Sequence, residues 1–325
     1  MAIQQTLIIV KPDGLAKGLV GRILCDIKSN NLSVIDHARI KLDRAWVEEL
    51  YAGGEQEVYF EEVVNWISSA PVLFLRIQGE QAIEKAKWRI IGRYPEGIRG
   101  RYSENWIKNV AHASDSEESA EREIKLSESI FEKSKRMDED LFRGKTVFAL
   151  TGMSECGKST VGRYLDLRGI PRLKIVRLFE QVRSKQAPGD ELYQFIKKGE
   201  ERDPYALWDS FVNELLAEMD VQKVSIASIE SLYGGGLGPY LKHRIGDRFC
   251  IIYIDIPLGI RLQRQMQRGG LTNIEEAKDI LLPRDKVKAN SGIPALKEIA
   301  DEVIDNSGTI EDLYWAIDKI IARHK

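Results

Sequence analysis

The sequence predicts two domains, an α+β sandwich over residues 1–143 and an α/β domain with a parallel sheet over residues 144–325. Three observations carry this prediction. A chain of 325 residues suits two cores of ordinary size better than one. Two β-branched runs, Leu7–Val10 and Thr146–Leu150, each deliver the chain into a glycine-containing turn before a helical stretch, so each is fit to open a domain. Between them Asp115–Lys145 carries acids and bases at helical spacings, and the chain passes from it into the second opening run near Gly144.

The elements follow in order. In the first half, strands are expected at Leu7–Val10, Val34–Ile40 and Val72–Ile77, with helices at Gly21–Ser29, Ala45–Tyr51, Phe60–Ile67 and Glu80–Ile91. That mixture is what makes the α+β sandwich. In the second half, strands are expected at Val147–Leu150, Lys174–Val176, Val224–Ser228, Ile251–Ile256 and Ala300–Ile304, alternating with helices at Ser159–Asp166, Ala206–Met219 and Ile310–Ala322. Such alternation is the rhythm of a parallel sheet covered by helices. No repeat relates the halves.

The strand at Val147–Leu150 runs into Gly152-Met-Ser-Glu-Cys-Gly157-Lys158-Ser159-Thr160 and then a helix, which satisfies the phosphate-cradling pattern GxxxxGK[ST] in its required strand-turn-helix context. The glycines let backbone amides turn inward around phosphate oxygens. The helix N-terminus adds its positive end, Lys158 reaches the outer phosphates, and Ser159 is a candidate ligand for Mg²⁺. The rest of this half resembles small P-loop kinases, most nearly dephospho-coenzyme A kinase and an archaeal relative. The likeness lies in TGMSECGKST, in CIIYIDIP followed by the arginine-bearing IRLQRQMQRGG, in Arg284-Asp285, and in ADEVIDNSGTIEDL. The resemblance implies ATP as phosphoryl donor and a lid whose arginines neutralise the moving charge, with Arg264, Arg268 and Arg284 as the candidates. Asn306 resembles the position that meets adenine and is otherwise a turn residue. Asp255, Glu230 and Glu180 are alternative carboxylates for Mg²⁺ or the acceptor hydroxyl. Arg177 and Arg183 are either acceptor-phosphate ligands or surface residues. LYGGGLGPYL is expected to be a mobile loop.

In the first half, Asn109-Val-Ala-His112-Ala-Ser114-Asp115 followed by SEESAEREI resembles the active-site signature of nucleoside diphosphate kinases, and Lys11-Pro-Asp-Gly14 with GLVGRI resembles their opening. The likeness spans about residues 1–130. It implies a ferredoxin-like sandwich and a ping-pong mechanism in which a neutral imidazole takes a γ-phosphate from an NTP and passes it to an NDP. Position by position, it makes Glu123 the carboxylate that orients His112, Ser114 its neighbour, and Asn109 a sugar contact. Lys11, Tyr51 and Arg99 match residues at the phosphates or beside the histidine, and Tyr59 the aromatic that stacks on the base. Between Trp88 and Arg99 the sequence departs from the family. The loop is shorter, Trp88 stands where an arginine is usual, with Arg89 or Arg93 as its substitute, and the usual threonine has no clear counterpart. Self-association, a homo-oligomer, is still expected.

Charge and cysteine content bound the partners. Fifty acidic residues against 48 basic give no global field and no basic stripe for nucleic acid. Three widely spaced cysteines without CxxC pairing fit a reducing, cytoplasmic compartment, and the apolar run near the start is too short for a signal core or a membrane span. The expected function is bifunctional nucleotide phosphotransfer, NTP to NDP at His112 and ATP to a nucleoside monophosphate (NMP) or similar acceptor at Lys158. The competing reading makes the first domain a non-catalytic nucleotide-binding or oligomerising module that regulates a kinase of another acceptor, such as dephospho-coenzyme A.

Overall fold

A computed structural model describes residues 2–52, 56–93 and 96–324. It divides into two compact units, Met1–Met137 with Lys197–Ala206, and Asp138–Ile196 with Leu207–Lys325. The division between Met137 and Asp138 falls inside a single 25-residue helix, Glu117–Leu141. Among the described residues no helix is long and apolar enough to cross a membrane.

The first unit is built on a four-stranded antiparallel sheet, β1 (Ile3–Val10), β2 (Ser33–Ile40), β3 (Val72–Glu80) and β4 (Ala111–Ala113), in the order β2-β3-β1-β4. Its helices are α1 (Pro12–Ala16), α2 (Val20–Ser29), α3 (Arg44–Leu50), α4 (Phe60–Ser69), α5 (Ala82–Glu84), α6 (Gly97–Tyr102) and α7 (Glu117–Leu141). This is the ferredoxin-like arrangement with α3 and α4 added between the second and third strands. Side chains alternate across a strand, so Leu7 and Ile9 enter one core with α3, α4 and α7 while Ile8 and Val10, also fully buried, face the other side. Asp43 caps α3 by accepting from the Trp46 amide at 2.9 Å. The helix expected over residues 80–91 begins only at Ala82, and from Lys85 to Ile91 it widens into a π-helix that ends at Gly92.

The second unit carries a five-stranded sheet, β5 (Thr146–Thr151), β6 (Arg172–Lys174), β7 (Ile226–Glu230), β8 (Phe249–Asp255) and β9 (Glu302–Asp305), parallel at every pairing and ordered β6-β7-β5-β8-β9. Its helices are α8 (Lys158–Leu167), α9 (Ile175–Gln186), the part of α10 (Leu192–Arg202) up to Ile196, the part of α11 (Pro204–Val221) from Leu207, α12 (Leu237–Ile245), α13 (Leu258–Gly269), α14 (Ile274–Asn290) and α15 (Ile310–His324). All six residues of β5 are buried, as a strand covered on both faces requires, and Phe148 and Leu150 pack with α8 and α15.

Two expectations fail here. Residues 174–176 are not a strand: β6 ends at Lys174 and Ile175 already opens α9, whose Ile175, Leu178, Phe179 and Val182 form a buried stripe at helical spacing. LYGGGLGPYL is not an open loop either. Gly234 lies so close to Gly292 that a Cβ there would stand 1.9 Å from its carbonyl oxygen, and from Leu237 the segment is helix α12.

Candidate functional site

In the first unit the geometry is set by Lys11-Pro-Asp-Gly14. Val110, between Asn109 and the first residue of β4, has φ 62, a left-handed conformation rarely taken by a β-branched residue. Neighbours hold it there. Its amide donates to the buried Asp13 Oδ2 at 2.8 Å, and its carbonyl accepts from the Lys11 amide at 2.9 Å. Gly14 permits the approach, because a Cβ at that position would sit 2.3 Å from the Val110 oxygen. The twist turns Asn109 towards Lys11, whose Nζ donates to Asn109 Oδ1 at 2.8 Å, and sends the next residues into register with β1, His112 opposite Ile9.

His112 Nε2 lies 2.8 Å from Glu123 Oε2, and Ser114 Oγ donates to the same oxygen at 2.7 Å. Burial pushes the Glu123 carboxyl up, but the bonds from His112 and Ser114 outweigh it and leave the group below its ordinary range. An ionised Glu123 accepts a hydrogen bond from Nε2–H, so the lone pair at Nδ1 is the one left to attack. Tyr51 stands edge-on, 6.2 Å between ring centroids, with its phenol pushed up by burial. Arg99 Nε donates to the Ala111 carbonyl at 2.9 Å. Burial and the neighbouring Arg99 charge lower the Lys11 ammonium to about 7 despite Asp13. Tyr59 lies outside this cluster, against Trp106.

At the position of the missing arginine, Trp88, Arg89 and Arg93 are all exposed. Trp88 is 47 % exposed with the Arg93 guanidinium over its ring, and Arg89 points to Glu84 at 3.8 Å. It is Lys87 that turns inward, its Nζ 3.6 Å from Asp115 and 3.5 Å from the Ala113 carbonyl, lowered by burial and by Arg99 and Arg93. The wider π turn changes the angle between successive side chains, which sequence spacing does not reveal.

In the second unit, Gly152 (φ 134) and Gly157 (φ 106) occupy conformations open to glycine, and a Cβ at either would meet Ile254 O at 2.5 Å or Asn306 Nδ2 at 2.4 Å. Lys158 Nζ donates to the Gly152 and Met153 carbonyls at 2.7 and 2.8 Å, and Ser159 Oγ donates to Glu230 Oε1 at 2.6 Å. Of the three candidate carboxylates, Glu230 alone lines the cavity of about 980 Å³ that holds the loop. Asp255 pairs with Lys297 and Glu180 with Arg183, so Arg183 is engaged within its own helix, and Arg177 is exposed. Arg172 pairs with Glu230.

Asn306, 4 % exposed, spends its amide on the Cys156 carbonyl at 2.7 Å and braces the loop. Arg264 donates to the Asn306 carbonyl at 2.8 Å, Arg268 pairs with Glu155 at 2.9 Å, and Arg284 and Thr160 line the cavity. Lys158, Arg163, Arg172, Arg264, Arg268, Arg284 and Lys288 there face only Glu155 and Glu230, a basic chamber fit for a polyanion. Lys288, unremarkable in sequence, is lowered to about 8 by burial and by Lys158.

Residues 4–134 match the family model for nucleoside diphosphate kinase. The chain is 36 % identical over 132 residues to a nucleoside diphosphate kinase of Sulfurisphaera tokodaii, covering 39 % of this chain and 89 % of that one. The same identity holds for the enzymes of Saccharolobus solfataricus (39 % and 95 % covered) and Listeria monocytogenes (129 residues, 38 % and 87 %).

Proposed function

The chain belongs to the nucleoside diphosphate kinase family through residues 4–134, and is on that account a phosphotransferase; from this premise we propose that its first unit transfers phosphate from NTP to NDP through His112 and that its second unit is an ATP-dependent kinase of a phosphorylated acceptor. The observation that carries the first claim is the imidazole held at Nε2 by Glu123, with Lys11, Arg99 and Lys87 around it. His112 Nδ1 attacks the γ-phosphorus, the bond to the bridging oxygen breaks, and NDP leaves. The acceptor's terminal phosphate oxygen then attacks the phosphohistidine and restores the imidazole. Cations at the phosphates neutralise charge that spreads over the transferred group. Tyr59 is read as the surface under the base.

For the second unit, support comes from the glycine-lined turn at the start of α8, with Lys158 and Ser159 beside Glu230 in the basic chamber. Its excess of cations beyond those a triphosphate needs favours an acceptor that carries phosphate itself, such as an NMP. Ser159 and Glu230 offer the hard oxygens that Mg²⁺ takes, and the ion would neutralise donor phosphates there. Incubation with labelled ATP tests both units. Wild type should form an acid-labile phosphoprotein that discharges to NDPs, and should label an NMP panel. His112→Ala should lose the first activity by about 10⁴-fold or more and keep the second, and Lys158→Ala the reverse. Wild-type protein without acid-labile label would sink the first assignment, and NMP transfer surviving Lys158→Ala would sink the second.

A further inference from the structure

Glu230, 8 % exposed at the end of β7, is engaged at both of its oxygens. Ser159 Oγ donates to Oε1 at 2.6 Å, and Nε and Nη2 of Arg172 both reach Oε2. The backbone beside each partner is pinned. The Ser228 amide donates to the Pro171 carbonyl at 2.9 Å, and Ser231, left-handed at φ 72, donates its amide to the Leu150 carbonyl at 3.1 Å. Arg172 also lies along α8, where a Cβ on Gly162 would meet its Cδ and Nε at 3.0 Å. It lines the basic chamber, whose other carboxylate, Glu155, is paired with Arg268. Among the described residues, Glu230 is the anion to which this guanidinium is committed.

Resting on the reading of the second unit as a kinase of a phosphorylated acceptor, we propose that Arg172 anchors the acceptor's phosphate and that Glu230 withholds it until Mg²⁺ and ATP are bound, so that the donor binds first. A guanidinium engaged by a carboxylate suits a phosphate as well, since both offer paired oxygens to its planar fork. Without the metal, that exchange would leave Glu230 charged, buried and without its cation, which is costly. With Mg²⁺ held at Ser159 and Glu230, the carboxylate keeps a positive partner, and the like charges of metal and guanidinium repel. Arg172 is then released cheaply, and the acceptor's phosphate supplies the anion it lacks. A nucleoside without phosphate gains nothing from the release. One carboxylate that serves two cations in turn makes donor and acceptor sites cooperative, and couplings of this kind are typically about 5- to 150-fold in affinity.

Calorimetric titration of the full chain with the NMP that wild type labels best, alone and with saturating Mg²⁺ and the non-transferable ATP analogue AMP-PNP, tests this by binding. Wild type should bind the NMP about tenfold more tightly with Mg²⁺ and AMP-PNP, and less than about threefold more tightly with AMP-PNP in EDTA. The corresponding nucleoside should show no such gain. In Glu230→Gln the NMP should bind tightly from the start, with the metal and analogue adding less than about threefold. Arg172→Ala should lose the gain while still binding AMP-PNP, and Arg172→Lys, which keeps the charge without the fork, should recover part of it. Equal NMP affinity in wild type with and without metal and analogue, or a gain that persists in Glu230→Gln or Arg172→Ala, would overturn the proposal. Should Arg172→Ala not fold, Glu230→Gln decides it on the same terms. If wild type labels no NMP at all, the kinase reading has failed first.

Discussion

Two buried glutamates, one in each unit, invite comparison. Glu123 is 3 % exposed and receives an imidazole and a hydroxyl; Glu230 is 8 % exposed and receives a hydroxyl and a guanidinium. The same carboxylate chemistry serves different ends because of what it holds. Glu123 fixes one nitrogen of a group that can itself take phosphate, which suits a covalent relay. Glu230 fixes a serine that opens a helix and an arginine at the edge of the basic chamber, neither a nucleophile of that kind, which suits direct transfer between two bound ligands. On the proposed function, the difference is that the nucleophile belongs to the protein in the first unit and to the substrate in the second.

The strongest way to break this comparison is to exchange each carboxylate for its amide. Glu123→Gln should slow acid-labile phosphorylation about 10²-fold and leave NMP transfer alone, while Glu230→Gln should do the opposite by a similar factor. Rapid-quench assays of both activities on both variants check this, and a variant that depresses both equally would show that the glutamates serve folding. A smaller effect is expected from Gly14→Ala, whose Cβ would enter the space of the Val110 carbonyl. It should destabilise the first unit by about 2 kcal/mol, read in denaturant melts followed by probes specific to each unit. Least in size is a proton. With Lys11 at about 7, its neutral form prevails at pH 8, and an arriving phosphate should raise its pKa and draw a proton in. Calorimetry of ATP binding at pH 8 in buffers of different ionisation enthalpy should show uptake that falls in Lys11→Met. Lys288, at about 8, should contribute in the same direction but less, which Lys288→Met would read. In the absence of nucleotide the sign is also fixed. The unfolded chain binds the Lys11 proton more tightly, so this group makes the fold more stable as pH rises from about 7 to 10.5.

What the sequence made legible was mostly local. Leu7–Val10 and Val147–Leu150 lie inside β1 and β5 because apolar β-branched runs ended by glycine turns leave little alternative. Asn109, His112, Ser114 and Glu123 are named by resemblance to the family signature, and of these His112 and Ser114 meet on the Glu123 carboxylate. Distant partners were less visible. Nothing in spacing distinguished Glu230 from Asp255 or Glu180, since only the parallel pairing of β7 with β5 carries Glu230 to Ser159. Pro283, inside α14, masks the continuity of the helix that brings Lys288 to Lys158. Asn306, by sequence a candidate ligand contact or a turn residue, donates its side-chain amide to the Cys156 carbonyl, a partner that spacing does not reveal. Lys87 was missed because the π turn shifts which residue faces inward.

The left-handed Val110 has a consequence for how such a site can change. Strand β4 is three residues long, and the turn that aims it is fixed from outside by Asp13, 97 positions away in the chain, and by the Lys11 amide. Segments that depend on each other in this way must be exchanged together to keep the aim of β4. Recombination between relatives that brings in a foreign Lys11–Gly14 segment without its matching Asn109–Ala113 segment, or the reverse, would leave every reactive group present and the histidine misaimed. Crossovers elsewhere in the unit, for example between α3 and α4, would leave that alignment intact.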